Sequence, residues 1–273
     1  MDVYLRYFLF FSLGLIPILL WMYLYFSYDT KNKEPKSLIR EAFFWGAVST
    51  LPVLGIFQLW KYFIPTDFFS LSLVFQILFV AVIEEMSKHL FAMKVMFSDK
   101  RAYNEASDFI LYAIVVALGF SCIENLMYAT DYIVNGNISW ETLLGFSLRG
   151  IITTFGHTVF SSIFAILCYY STVNGTSHTI KNILSRCTFK NLTFAHARSK
   201  KKDVTYVPHH PIDFIFEGLW AAVLVHSIFN IFLTVPLFTQ NNVYAFFVPV
   251  YLFILGVFVF KSYKKISIYT IRT

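Results

Sequence analysis

The chain has 273 residues, 57% hydrophobic and only 14% charged, with 32 Phe and 17 Tyr, and its mean hydropathy is +0.62. A soluble domain carries roughly 25% charged residues. A water-facing surface is therefore excluded for most of the chain, and a bilayer, in which lipid replaces water as solvent, is the setting that fits. The net charge of +6 does not point to nucleic acid, because the basic residues lie between apolar blocks and form no single patch.

The first apolar block, 3–28, is too long for a signal-peptide core, has no basic leader beyond Arg6 and no small-residue cleavage site, and reads as a retained span. Further blocks follow at 38–63, 68–93, 106–130, 140–172, 212–236 and 241–261. Each supplies the ~20 apolar residues that a membrane helix needs, and the fifth is long enough to tilt strongly or to include an interfacial turn. No block repeats another, so the inverted repeats of many secondary transporters are not visible. The predicted architecture is all-α: a polytopic helical membrane bundle of about seven transmembrane helices, one membrane-embedded unit over 1–273.

Of the 22 Lys and Arg, 18 fall in alternate connections: after the first, third and fifth blocks and in the C-terminal tail. Only Arg6 and Lys61 lie on the opposite side. The positive-inside rule then predicts the N-terminus outside and the C-terminus in the cytoplasm. The 175–211 connection is long and basic and reads as an accessory loop, with a helical hairpin or a segment attracted to anionic lipid as alternatives. Its histidines, His178, His196, His209 and His210, read as surface residues. Cys122, Cys168 and Cys187 are widely spaced and form no CxxC pair, which argues against a disulfide framework and a cysteine zinc site.

Several polar residues lie inside the blocks: Glu84, Glu85 and Lys88 in the third, Glu124 and Asn125 in the fourth, Arg149 and His157 in the fifth, His226 and Asn230 in the sixth. Each charge at the bilayer centre costs ~2.5–3.5 kcal/mol on insertion scales, so these groups are expected to face one another or water. Helical spacing agrees, since positions four apart share a face: Glu84 with Lys88, Arg149 with Thr153 and His157, His226 with Asn230. Taken singly each has a structural reading. Glu84–Lys88 would be a structural ion pair that locks helices together, Arg149 a clamp on Glu124 or Asp108, His157 a neutral core histidine, and Asn125 helix–helix glue. Taken together, three carboxylates and two histidines are the inventory for activating a water molecule, by a carboxylate base or by a bound metal.

The same residues carry a family resemblance. Glu84-Glu85-Met86-Ser87-Lys88 resembles the EExxK motif of the PrsW family of intramembrane proteases, and Gly119 to Tyr128 resembles its GFxxxENxxY segment. Arg149 with His157 resembles its RxxxxxxxH element, and His226 to Asn230 its late HxxxN/D element. Asp29 and Glu34-Pro35 also fit, so the likeness runs from about residue 15 to 235. It implies a relation to the membrane-embedded CAAX prenyl endopeptidases, from which the chain departs where Phe120 is followed by Glu124 and not by His.

The resemblance implies a membrane-embedded peptidase, glutamate-type or metallo-type, in the bacterial cytoplasmic membrane. Its substrate would be a single-span membrane protein, a class that in the family includes an anti-sigma factor; its other partner is the lipid bilayer, and no nucleic acid is expected. Glu84, Glu85, Glu124, His157, His226 and Asn230 are the catalytic candidates, with Lys88, Arg149 and Asn125 in support. Glu84 or Glu85, assisted by Glu124, would polarise a water, and His226 with Asn230 would stabilise the oxyanion. If a metal takes part, zinc held by Glu85, His157 and His226 is the expected set, and a metal-independent glutamate mechanism stands equally. A proton-coupled transporter and a non-catalytic membrane scaffold are the rival functions.

Overall fold

The computed structural model describes residues 3–28, 34–63, 73–98, 107–135, 139–174, 203–205, 211–239, 247–266 and 270–272. The helices are α1 (Val3–Tyr28), α2 (Lys36–Val48), α3 (Thr50–Phe63), α4 (Leu73–Ser98), α5 (Asp108–Asn135), α6 (Trp140–Asn174), α7 (Pro211–Thr239) and α8 (Phe247–Ile266). Because α2 and α3 are halves of one broken rod, the described helices correspond to the seven predicted blocks. Of the 175–211 connection, only Asp203–Thr205 is described ahead of α7; it pairs in parallel with Thr270–Arg272. The four histidines predicted to lie on its surface, and Asp29, fall outside the described residues.

Six of the seven rods are long and apolar enough to cross a membrane. The seventh, α4, has 26 residues, enough to cross; Glu84, Glu85 and Lys88 interrupt its apolar stretch. Its packing is that of a span. Ser87 meets Ser49, and Trp60 meets Phe79 and Phe75, so α4 runs antiparallel to α2 and α3. In the same way α6 runs parallel to α1, with Trp21 Nε1 donating to the Ile151 carbonyl and Tyr25 Oη within 2.7 Å of Thr158 Oγ1. Alternate rods thus share a direction, as successive crossings require.

The two central helices are α5 and α6. Buried residues make up 78% and 83% of their apolar windows, against 22–33% for the other candidate spans, which therefore form the outer wall. That wall exposes large apolar side chains such as Phe8, Leu19, Leu224 and Phe253, a surface suited to lipid and unsuited to water.

The sequence predicts one unbroken helix over 38–63; the structure breaks it at Ser49. Pro52 explains the break: it has no N–H to give the Val48 carbonyl and its ring crowds that carbonyl. Backbone groups freed inside a membrane need internal partners. Ser87 Oγ on α4 donates to the Ser49 carbonyl at 2.5 Å, while Ser49 Oγ and Thr50 Oγ1 donate back to Gly46 and Ala47. The break is thereby pinned to the helix that carries Glu84.

Where α2 crosses α5, Gly46 lies against the Val116 backbone and Gly119 against the Phe43 carbonyl, with no room for a Cβ on either. The glycine of the GFxxxENxxY segment is thus a packing requirement that seats α5 close to α2. Gly119→Ala should destabilise the fold by at least the ~1–3 kcal/mol usual for overpacking, since backbone must move. Thermal unfolding in detergent measures it, and an unchanged midpoint would contradict the close approach.

Candidate active site

Four helices bring their polar residues to one place, and a connected set of hydrogen bonds fixes them. Lys88 Nζ donates to Glu85 Oε1 at 2.5 Å and to His157 Nδ1 at 2.9 Å. An ammonium has only donors, so His157 Nδ1 must accept. His157 Nε2 then carries the proton and donates to Glu124 Oε2 at 2.8 Å. Arg149 Nη2 donates to the other oxygen of Glu124 at 3.0 Å, and its guanidinium lies 3.3 Å from the centre of the Tyr128 ring. On the other side, Glu85 Oε1 also accepts from His226 Nδ1 at 2.7 Å.

That last bond settles the tautomer of His226: with its proton on Nδ1, Nε2 presents a lone pair. Glu84 Oε2 faces it at 3.8 Å. In this arrangement Nε2 is an acceptor, so the expected donation from His226 to an oxyanion is not available from that atom. Asn230 lies one turn on and is half-buried; its side chain makes no hydrogen bond to the cluster among the described residues. Asn125 is fully buried and ties three helices, donating to the Gly14 carbonyl and to Thr154 Oγ1 and accepting from Arg149 at 3.4 Å. It is helix–helix glue in position as well as in type.

Burial separates the two adjacent glutamates. The side chains of Glu85 and Lys88 are fully enclosed, whereas Glu84 and Glu124 retain 12% and 19% exposure. Both exposed carboxylates line a cavity of about 270 Å3 bounded by α3, α4 and α5. An incoming molecule therefore meets Glu84 and Glu124, while Glu85 stands behind them as the anchor for Lys88 and His226.

His89 is a neighbour that the sequence reading did not single out. It is buried one turn from Glu85, with its Nε2 3.6 Å from Glu85 Oε2 and its ring stacked on Phe164. Its spacing of four from Glu85 was the available signal; beside Lys88 it read as the next residue of a helix already explained.

The donor atoms able to hold a metal are those of Glu84, His157 and His226, which lie within 4.8 Å of one another. Glu84 stands in that group where Glu85 was expected; Glu85 is enclosed behind it, with Lys88 and His226 on its Oε1. Two histidines and a carboxylate are the ligands of several catalytic zinc sites, and donors on zinc at about 2.1 Å stand roughly 3.4 Å apart, near the 3.8 Å between Glu84 and His226. The Glu85–His226 bond supplies the carboxylate behind a metal-bound imidazole that such sites use. His157 carries its proton on Nε2 here, so it joins the set once Lys88 gives up Nδ1, either to the metal or to the imidazole proton moving there. The residues present fit a divalent metal.

Comparison with known proteins agrees with the geometry. The family described as PrsW family intramembrane metalloprotease matches residues 34–259. A Protease PrsW of Oceanobacillus iheyensis is 28% identical over 224 residues, covering 81% of this chain and 89% of that protein. A Protease PrsW of Clostridioides difficile is 29% identical over 118 residues, covering 43% of this chain and 49% of that protein. No solved structure matches significantly. The matched segment runs from Glu34 to α8 and contains every residue of the polar cluster, and the chain is a multi-pass membrane peptidase that belongs to the PrsW family.

Proposed function

We propose that this peptidase cleaves a peptide bond of a membrane-spanning substrate, with Glu84 and His226 gripping the reacting centre and Glu124 moving the proton. The observation that carries the reading is the Glu84 carboxylate facing the His226 lone pair at 3.8 Å on the wall of a cavity that opens among α3, α4 and α5. A divalent metal such as zinc, held by Glu84, His157 and His226, supplies when bound a water of lowered pKa and polarises the scissile carbonyl.

The chain's own residues do the rest. Glu124 is held through Oε1 by Arg149. Once His157 turns away, its Oε2 is free to take a proton from the attacking water and return it to the leaving amine. Lys88 neutralises Glu85, Glu85 fixes the His226 tautomer, and Phe160 stacks on the His226 ring at 5.0 Å to hold its plane.

A second reading rests on the same pair of groups: Glu84 itself takes the proton of a water held by His226 Nε2, without metal. Chelation separates the two. Purified protein is expected to hold about one zinc per chain and to lose cleavage on treatment with a chelator, with recovery on zinc addition. Full activity in metal-free protein would transfer the base role to Glu84.

The substrate is proposed to be a single-span membrane protein, because the reacting groups lie in the middle of four spans. The charge asymmetry supports an N-terminus outside and a cytoplasmic C-terminus, and the bacterial relatives support a bacterial cytoplasmic membrane. The test of function compares newly formed termini in membranes of cells making the wild type or Glu84→Gln at matched levels. A membrane protein shortened only by the wild type is the expected result. Identical termini, with both proteins folded, would favour transport or scaffolding.

A further inference from the structure

We propose that the cavity beside Glu84 and Glu124 is the specificity subsite, and that it receives one large apolar side chain from a substrate span that is locally unwound and enters sideways between α3 and α5. The proposal rests on the endopeptidase reading above.

Three observations carry it. The first is periodicity. Thr50, Val53, Leu54 and Phe57 lie three and four apart on α3, while Phe120, Glu124, Met127, Tyr128 and Asp131 do the same on α5. Each helix therefore turns one whole face to the cavity. Its middle is apolar, built by Val53, Leu54, Phe57, Phe120 and Met127, and the carboxylates of Glu84 and Glu124 reach into that same space. A side chain seated there is next to the reacting groups.

The second is size. The volume is about 270 Å3, whereas an α-helix is about 10–12 Å across with its side chains. One turn of such a helix fills several hundred Å3. The cavity is sized for one side chain from an extended stretch and not for a whole helical turn. An extended stretch is also what hydrolysis needs, since a helical carbonyl is bonded and shielded on its own helix.

The third is the opening. Met127 and Tyr128, which line the cavity, are each 42% exposed, so its rim reaches the outside of the bundle. The wall on that side, α3, is lightly packed, touching α4 with fewer contacts to α2 and α5. It is held at the Ser49 break by Ser87. The apolar rim admits a side chain directly from lipid, and the carboxylates behind it disfavour an acidic one.

The probes are synthetic spans of about 22 Leu and Ala residues flanked by lysines, with a central Gly-Pro pair that weakens the helix and one guest residue beside it, Phe, Leu, Ala or Asp, in liposomes with the enzyme. Mass spectrometry of new termini gives the rate for each guest. Wild type should cut Phe and Leu spans about 10-fold or more faster than Ala spans, the range that apolar pocket size supplies, and Asp spans slowest. Leu54→Trp and Met127→Trp, which fill the cavity from opposite walls, should flatten or invert that ranking. Leu144→Trp, on the lipid-facing surface, should leave it unchanged.

A photo-crosslinking amino acid in place of Met127, in a Glu84→Gln background, tests occupancy without turnover and should label Phe spans in preference to Ala spans. An unaltered guest ranking in both filled variants, or equal crosslinking of Phe and Ala spans, overturns the subsite. No cleavage of any span by the wild type would instead defeat the endopeptidase reading, while the guest-dependent crosslink would still report on the cavity.

Discussion

Replacing Glu84 by Gln should abolish cleavage and leave the fold intact. The amide keeps the size of the carboxylate and loses its charge, so it neither serves as an anionic metal ligand nor takes a proton. Either role is worth roughly 10^2–10^4 in rate when a single positioned carboxyl group is lost. Glu84 carries little of the structural network: its contact within the cluster is His226 Nε2 at 3.8 Å, and its side chain is partly open to the cavity. The thermal midpoint of Glu84→Gln should therefore match the wild type within about a degree or two, since partly exposed substitutions away from buried networks shift stability by roughly 0.5 kcal/mol or less. Metal analysis of the same variant distinguishes the roles. Lost zinc identifies a ligand, and retained zinc with lost cleavage identifies a base. An active, folded Glu84→Gln would remove the residue from the chemistry altogether.

The bundle was legible in the sequence because a bilayer imposes a simple requirement, a long apolar run for every crossing. Its limits were set where that requirement is met by unusual means. The rod over 38–63 has the composition of one helix; the break at Ser49 depends on Pro52 and on a hydroxyl from another helix, Ser87, and the second of these is invisible to any one-dimensional pattern. Membership of the polar cluster was legible for the same reason that it is costly: Glu84, Glu85, Lys88, Glu124, Arg149, His157 and His226 have no favourable contact with lipid and must find one another. Their division of labour was not. Glu84 and Glu85 are neighbours in sequence about 100° apart on the helix, so one turns to the cavity and the other to Lys88. No motif states which is which. The oxyanion role expected for His226 depended on a proton position that only the bond to Glu85 Oε1 decides, and Asn230 shared a helical face with His226 without sharing its hydrogen bonds.

Lys88→Met should be the most destabilising single change in the cluster, and the effect should be relieved by a second substitution. Lys88 and Glu85 are both fully buried and 2.5 Å apart, and Lys88 Nζ also anchors His157. Removing the cation leaves the Glu85 charge with His226 Nδ1 as its remaining close donor and leaves His157 Nδ1 without a proton to accept. Breaking a buried pair from one side costs about 3–5 kcal/mol, because the surviving charge keeps its desolvation penalty and loses its compensation. Glu85→Gln should be destabilising by the same logic, with Lys88 as the stranded charge. The double variant Glu85→Gln/Lys88→Met strands neither. It should recover a large part of the stability lost in either single variant, since replacing both members of a buried pair is often close to neutral. Catalysis should not recover with it, because a Gln at 85 presents His226 Nδ1 with an uncharged acceptor and weakens the hold on the tautomer that keeps Nε2 facing Glu84. A double-mutant cycle on thermal unfolding in detergent, run beside cleavage of the same samples, reads both quantities. Additive losses of stability in the double variant would show that Lys88 and Glu85 act independently, contrary to the network that joins α4, α6 and α7 around the reacting groups.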